Sequence, residues 1–257
     1  MYWMAIKPIH IFGVRHTTYL EDGPTKDVSE LVRKWGPLGV KKLGIEFSSS
    51  GTGKMSAGEP PKWWKKSKLD WIAKFKYENS AERYARAVEL HAERKGMPVF
   101  SLERPTDPSI ILHHVLKDIS SLSMRGTTVT HAINLSLIFS REAYRLNRDA
   151  SLAPIYVRRL GMLEAIAARP ELHSWEQIGK LDDAIAVRRS IDMYKRASLL
   201  GLNHIVLGGA HAEDCKLIFG APVIHINRRE KMVDASKRLA AYDKLSQTLQ
   251  QILRAAH

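Results

Sequence analysis

Residues 204–211 read HIVLGGAH: an apolar run leads into Gly208, and a histidine, His211, follows three positions later. Residues 9–16, IHIFGVRH, repeat the arrangement with Gly13 and His16. A short apolar run closed by glycine predicts a buried strand, and the glycine permits a sharp departure or close packing on a neighbour. Each histidine is then carried just past the end of its strand. Two such units at opposite ends of one chain predict strands that meet in a single sheet.

Residues 8–13 predict the first strand. A helix follows at KDVSELVRKWG, residues 26–36, with Val28, Leu31, Val32 and Trp35 on one side and Gly36-Pro37 as its stop. KKLGIEF, residues 41–47, is the next strand, which completes a βαβ pattern. A helix over 80–95, with Tyr84, Ala85, Val88 and Ala92 at helical spacing, precedes a third strand at MPVFSLE, residues 97–103. From 109 to 200 the pattern is helical, with breaks expected near Gly126, 148–150, Pro170 and Gly179. NHIVLGG then returns as a strand, AHAEDCKLIFG as a short helix and APVIHIN as a fifth strand. A last helix is predicted over 229–256, with Leu239, Tyr242, Leu249, Ile252 and Leu253 on one face. The expected fold is α/β: one domain over 1–257, a mainly parallel sheet flanked by helices, with 109–200 as a helical insertion. No repeat of solenoid length is present.

Composition agrees with a globular protein, at 44% hydrophobic and 26% charged residues. The most apolar stretch, VTHAINLSLIFS at 129–140, is too short to span a bilayer and predicts a buried helix. With no transmembrane segment and no signal-peptide pattern at MYWMAIKPIH, a soluble, cytoplasmic protein is expected. The single cysteine, Cys215, excludes an intrachain disulfide and a cysteine-rich zinc site. A net charge of +13 favours anionic partners, nucleic acid or an anionic membrane surface, without choosing between them.

Open parallel sheets place their sites at the carboxyl ends of the strands. His16, Glu46 and His211 all fall there. Glu46 sits in GIEF at a buried strand end, where a carboxylate needs a partner. Two chemistries fit the set. His and Glu can hold a divalent metal ion that acidifies a bound water. Alternatively, a histidine acts as general base on water, oriented by the carboxylate. Both lead to hydrolysis. Asp214 could instead cap the helix that His211 begins. Cys215 follows on the same helical face, as a small buried thiol or an extra ligand. His113 and His114 are adjacent and point in different directions on a helix, which disfavours a metal pair.

These motifs resemble the TraB/PrgY/TIKI group, which includes GumN-like proteins, and more distantly the erythromycin esterase and ChaN-like superfamily. The matching positions are Gly13 with His16, then Glu46, then Gly208 with His211. Two further elements are similar: SLERPTDPS with Glu103 and Arg104, and RRSIDMYKRA with Arg189 and Met193. The resemblance covers about residues 9–220. It departs at Glu103, commonly Asp in that group, and at Ala212, commonly Leu. It implies hydrolysis of a peptide or ester at a centre of His16, Glu46 and His211, with a divalent metal ion and with Arg104 and Arg189 in support. On physical grounds a guanidinium here can pair with Glu46 or Glu103, hold an anionic substrate, or form an internal salt bridge.

Residues 48–77 read as a loop with a basic, aromatic insertion. The segment SSSGTGKMS fails as a phosphate-binding loop, because position 48 is Ser where Gly is required and Met55 follows Lys54. Trp63, Trp64 and Trp71 alternate with Lys65, Lys66 and Lys68. Such a segment can stack on bases, rest on an anionic membrane surface, close over a substrate, or pack its tryptophans on the domain. It supports a second reading of the chain, as a nucleic-acid- or anionic-surface-binding protein on a non-catalytic scaffold of the same fold.

Overall fold

The computed structural model describes residues 8–14, 25–46, 81–104, 106–123, 126–146, 152–226 and 234–255. Met1–Arg104 with Ser190–Ala235 form one compact unit, and Pro105–Arg189 with Ser236–His257 form a second.

The first unit holds the sheet. Its strands are β1 (His10–Val14), β2 (Leu43–Ile45), β3 (Val99–Ser101), β4 (His204–Gly208) and β5 (Val223–His225). They pair in the order β3-β2-β4-β1-β5, and every pairing is parallel. The two GxxH strands are neighbours, with Gly13 opposite Leu207 and Val14 opposite Gly208. This is the α/β fold with a mainly parallel sheet that the sequence predicts.

Side chains alternate between the two sheet faces. Phe12, Val14, Leu43, Ile45 and Val206 form one core with α1 (Thr25–Trp35) and α2 (Ala81–Arg94), through Val28, Leu31, Trp35, Ala85, Val88 and Ala92. Ile11, Ile205 and Leu207 form the opposite core. They pack there with Ala212 and Cys215 of α7 (Gly209–Phe219) and Met193 and Ala197 of the long helix α6 (Trp175–Leu199). Helices therefore cover both faces, which explains strands that are apolar throughout. The connections that leave β1 and β2 run over one face through α1 and α2, whereas the one that leaves β4, between them, runs over the other through α7, so the connections diverge on either side of β4. In open parallel sheets that divergence marks the crevice where sites form.

The second unit is helical: α3 (Pro108–Ser121), α4 (Val129–Leu146), α5 (Ala153–Ala167), a 3₁₀ turn (Pro170–Leu172), the first part of α6, and α8 (Ala235–Arg254). Its core joins Leu112, Leu116, Ile119, Ile133, Met162, Leu163, Leu181 and Ile185 to Leu249 and Ile252 of α8. The helical insertion between strands is thus present, and the last helix packs with it.

Three expectations need correction. The break at Gly179 is absent, because α6 runs unbroken through it. Gly179 is exposed, and an added Cβ there meets nothing within 4 Å, so glycine weakens this helix locally without ending it. The helix over 129–140 is only half-buried: Val129, Ala132 and Ile133 are core, whereas Ile138 and Phe139 are 55% and 41% exposed. The last helix starts at Ala235, with Asp234 outside it; 229–233 lie outside the described residues.

Candidate functional site

The site lies in the first unit, at the carboxyl ends of β2 and β4. Glu46 is the first residue beyond β2, and its backbone N–H donates to the Val206 carbonyl at 3.1 Å. That bond extends the β2–β4 ladder by one step and carries the Glu46 side chain to the start of α7. There Gly208 N–H donates to Glu46 Oε2 at 2.7 Å. Gly208 is the N-cap of α7 and offers no side chain to its amides. Glu46 supplies the missing negative charge, and the helix dipole favours it there.

His211 stands in the first turn of α7. Its Nε2 lies 3.6 Å from Glu46 Oε1, with the side chains 10% and 6% exposed. The separation exceeds a hydrogen bond. The other ring nitrogen, Nδ1, lies 2.7 Å from Ser190 Oγ. Ser190 Oγ also donates to Asp214 Oδ2 at 2.7 Å. Ser190 is fully buried and Asp214 nearly so. Ser190, His211 and Asp214 thus form a buried polar network consistent with a hydrolase-like active site. Its order differs from a nucleophilic serine triad, in which histidine stands between serine and carboxylate. Here serine stands in the middle.

A second histidine–carboxylate pair stands nearby in the same unit. His225, the last residue of β5, lies with Nε2 2.6 Å from Glu213 Oε1. It pairs in register with Gly13, and a Cβ added to Gly13 would meet His225 Nδ1 at 2.9 Å and Ala212 Cβ at 3.1 Å. The glycine of the first GxxH therefore makes room for α7 and for the His225 ring.

The expected residues divide accordingly. Glu46, Gly208 and His211 converge, and Gly13 packs at the same end of the sheet. His16 lies outside the described residues, as do Trp63, Trp64, Lys65, Lys66, Lys68, Trp71 and the whole of 47–80. Glu103 is buried just beyond β3, the strand next to β2, while Arg104 is exposed. Arg189 belongs to the second unit, where its charge acts on His113 and His114. Asp214 does not cap the helix; it sits a full turn inside α7 and accepts from Ser190. The Cys215 thiol is buried, lies 3.6 Å from the Ser190 carbonyl, and is pushed well above its ordinary pKa by burial, with Asp214 and Glu46 adding to the effect. His113 Nδ1 lies 3.2 Å from Asp182 Oδ1, and the His113 and His114 rings stand 5.8 Å apart, tilted by 56°.

Ser190 was not singled out from the sequence, though one signal pointed to it. In α6 it shares a helical stripe with Met193 and Ala197, so a hydroxyl sits on an apolar face. A buried hydroxyl requires a partner.

Among the described residues, no group of three or more His, Cys, Asp or Glu side chains is arranged to hold a metal ion. The pair Glu46 Oε1 and His211 Nε2 nonetheless suits one in type and spacing. Two ligands about 2.0–2.2 Å from a shared ion stand roughly 3–4 Å apart, and these atoms are 3.6 Å apart. Among the described residues no helix is long and apolar enough to cross a membrane. No family model, curated protein or solved structure matches the chain.

Proposed function

We propose that the protein is a hydrolase of peptide or ester bonds that activates water between Glu46 and His211. One observation carries the reading: a buried carboxylate and a buried imidazole face each other across 3.6 Å where the sheet connections diverge. The resemblance of the GxxH motifs to the TraB/PrgY/TIKI group supports the same reading and adds His16 as a third member.

The chemistry follows from the donor set. A water between the two side chains gives its proton to His211 Nε2 as its oxygen attacks the substrate carbonyl carbon. Glu46 orients that water and stabilises the imidazolium that forms. Collapse of the tetrahedral intermediate breaks the bond to the leaving group, which takes the proton back from His211. In the alternative form, Glu46 and His211, with His16 as the resemblance implies, would hold a divalent metal ion through these same atoms, and the ion would supply a Lewis acid and a more acidic water in place of the His211 base.

The test is turnover of a panel of nitrophenyl esters and short peptides by purified protein. It is run as isolated, after chelation, and after adding back zinc or manganese, with metal content measured. Activity should fall by about 10²–10⁴-fold in His211→Ala and Glu46→Ala, the range for loss of an acid–base group. Turnover that survives both substitutions overturns the proposal.

A further inference from the structure

We infer that Asp214 and Ser190 are positioning residues that fix which nitrogen of His211 carries the proton. The positioning role rests on the water-activating reading above; the tautomer itself does not.

Counting hydrogen-bond donors assigns the proton. An ionised Asp214 carboxylate only accepts hydrogen bonds, and a serine hydroxyl has one proton to give. At 2.7 Å from Asp214 Oδ2, the Ser190 hydroxyl spends that proton on the carboxylate. Its oxygen then has only lone pairs to offer His211 Nδ1, which stands 2.7 Å away. Nδ1 must therefore be the protonated nitrogen. In the neutral ring this leaves the lone pair on Nε2, the atom that faces Glu46 Oε1. The Nε2 lone pair is what a general base or a metal ligand uses, and an imidazole fixed through its other nitrogen is the usual support for either role.

Burial makes the device rigid. Ser190 is 0% exposed and Asp214 1% exposed, so water does not compete for either group. The three residues come from two helices. Ser190 lies on α6, while His211 and Asp214 lie three residues apart on α7 and so share a face. The same chain argues against Ser190 as the nucleophile: its proton is directed at Asp214 and not at His211, and histidine does not stand between serine and carboxylate.

The experiment is nitrogen-15 NMR of the histidine ring at a pH where the imidazole is neutral, with the His211 signals assigned by their loss in His211→Gln. Wild type should show protonated Nδ1 and bare Nε2. Ser190→Ala should populate the Nε2–H form, and Ser190→Thr, which keeps the hydroxyl, should restore the wild-type pattern. Asp214→Asn should loosen the preference, because an amide can donate to Ser190 and release its proton toward Nδ1. An Nε2–H tautomer in wild type, or an unchanged Nδ1–H tautomer in folded Ser190→Ala, overturns the inference. Should Ser190→Ala fail to fold, the wild-type and Asp214→Asn spectra still decide it. Where turnover is measured, kcat should fall about 10–100-fold in Ser190→Ala with KM little changed. A loss as large as that of His211→Ala would instead mark Ser190 as a nucleophile and overturn the assignment. If no substrate is turned over but the tautomer behaves as stated, the hydrolase reading fails while the relay stands.

Discussion

Gly208 donates its backbone N–H to Glu46 Oε2 at 2.7 Å, joining residues 162 apart in sequence. The carboxylate that ends one strand is thereby seated on the first amide of the helix that follows another. Glu46 then has two duties, which substitution separates. Glu46→Gln keeps an acceptor oxygen for Gly208 and should cost about 1 kcal/mol. Glu46→Ala leaves the amide buried without that acceptor and should cost about 1–3 kcal/mol. Both should lose turnover alike. Urea denaturation of the two variants measures the difference in stability; equal losses would show that the Gly208 bond contributes nothing.

Gly13 should resist the smallest enlargement. An alanine Cβ would stand 2.9 Å from His225 Nδ1 and 3.1 Å from Ala212 Cβ. The His225 ring is tethered to Glu213 and has little room to yield. Gly13→Ala should therefore destabilise the protein by about 1–3 kcal/mol. Adding His225→Ala should recover part of the loss, the mark of two positions that share one space. Denaturation midpoints across the four-member cycle supply the coupling; strict additivity would place the strain elsewhere.

The second unit should weaken in acid. Burial holds the His114 pKa down at about 3, with the charges of His113, Arg189 and Arg159 adding to the effect, against 6.5 for an ordinary histidine. His113 is lowered as well, because burial outweighs its bond to Asp182. Between these pKa values the unfolded chain binds a proton that the folded chain refuses. Stability is then full above about pH 6.5 and declines as pH falls, by at most about 1.4 kcal/mol per pH unit for each such proton. Unfolding followed by far-ultraviolet circular dichroism from pH 7 to pH 4 measures that slope. His114→Gln should flatten it, and an unchanged slope would exonerate His114.

The strands were legible because each is a short apolar run closed by glycine or a polar residue. The convergence of Glu46 with His211 was legible because both end such runs in a parallel sheet. The roles of Ser190 and Asp214 were not, since they depend on where α6 crosses the sheet face, which no local pattern encodes. Asp214 looked like a cap because it stands near a helix start, yet the cap position is Gly208 and the charge there comes from Glu46. Gly179 misled for the converse reason: one glycine costs a helix about 1 kcal/mol, which 25 residues of α6 absorb.

The strand order also governs when this protein can fold. Among the described residues β1 pairs only with β4 and β5, which lie beyond α3–α6 in the sequence, whereas β2 pairs with β3, the next strand. β1 therefore cannot complete its pairing until α3–α6 have been made, and unpaired strand edges invite association between chains. Closure of the sheet is a long-range event of the slow kind. It is also the event that brings Gly208 to Glu46 and His211 to its carboxylate, so the site cannot form before the sheet closes.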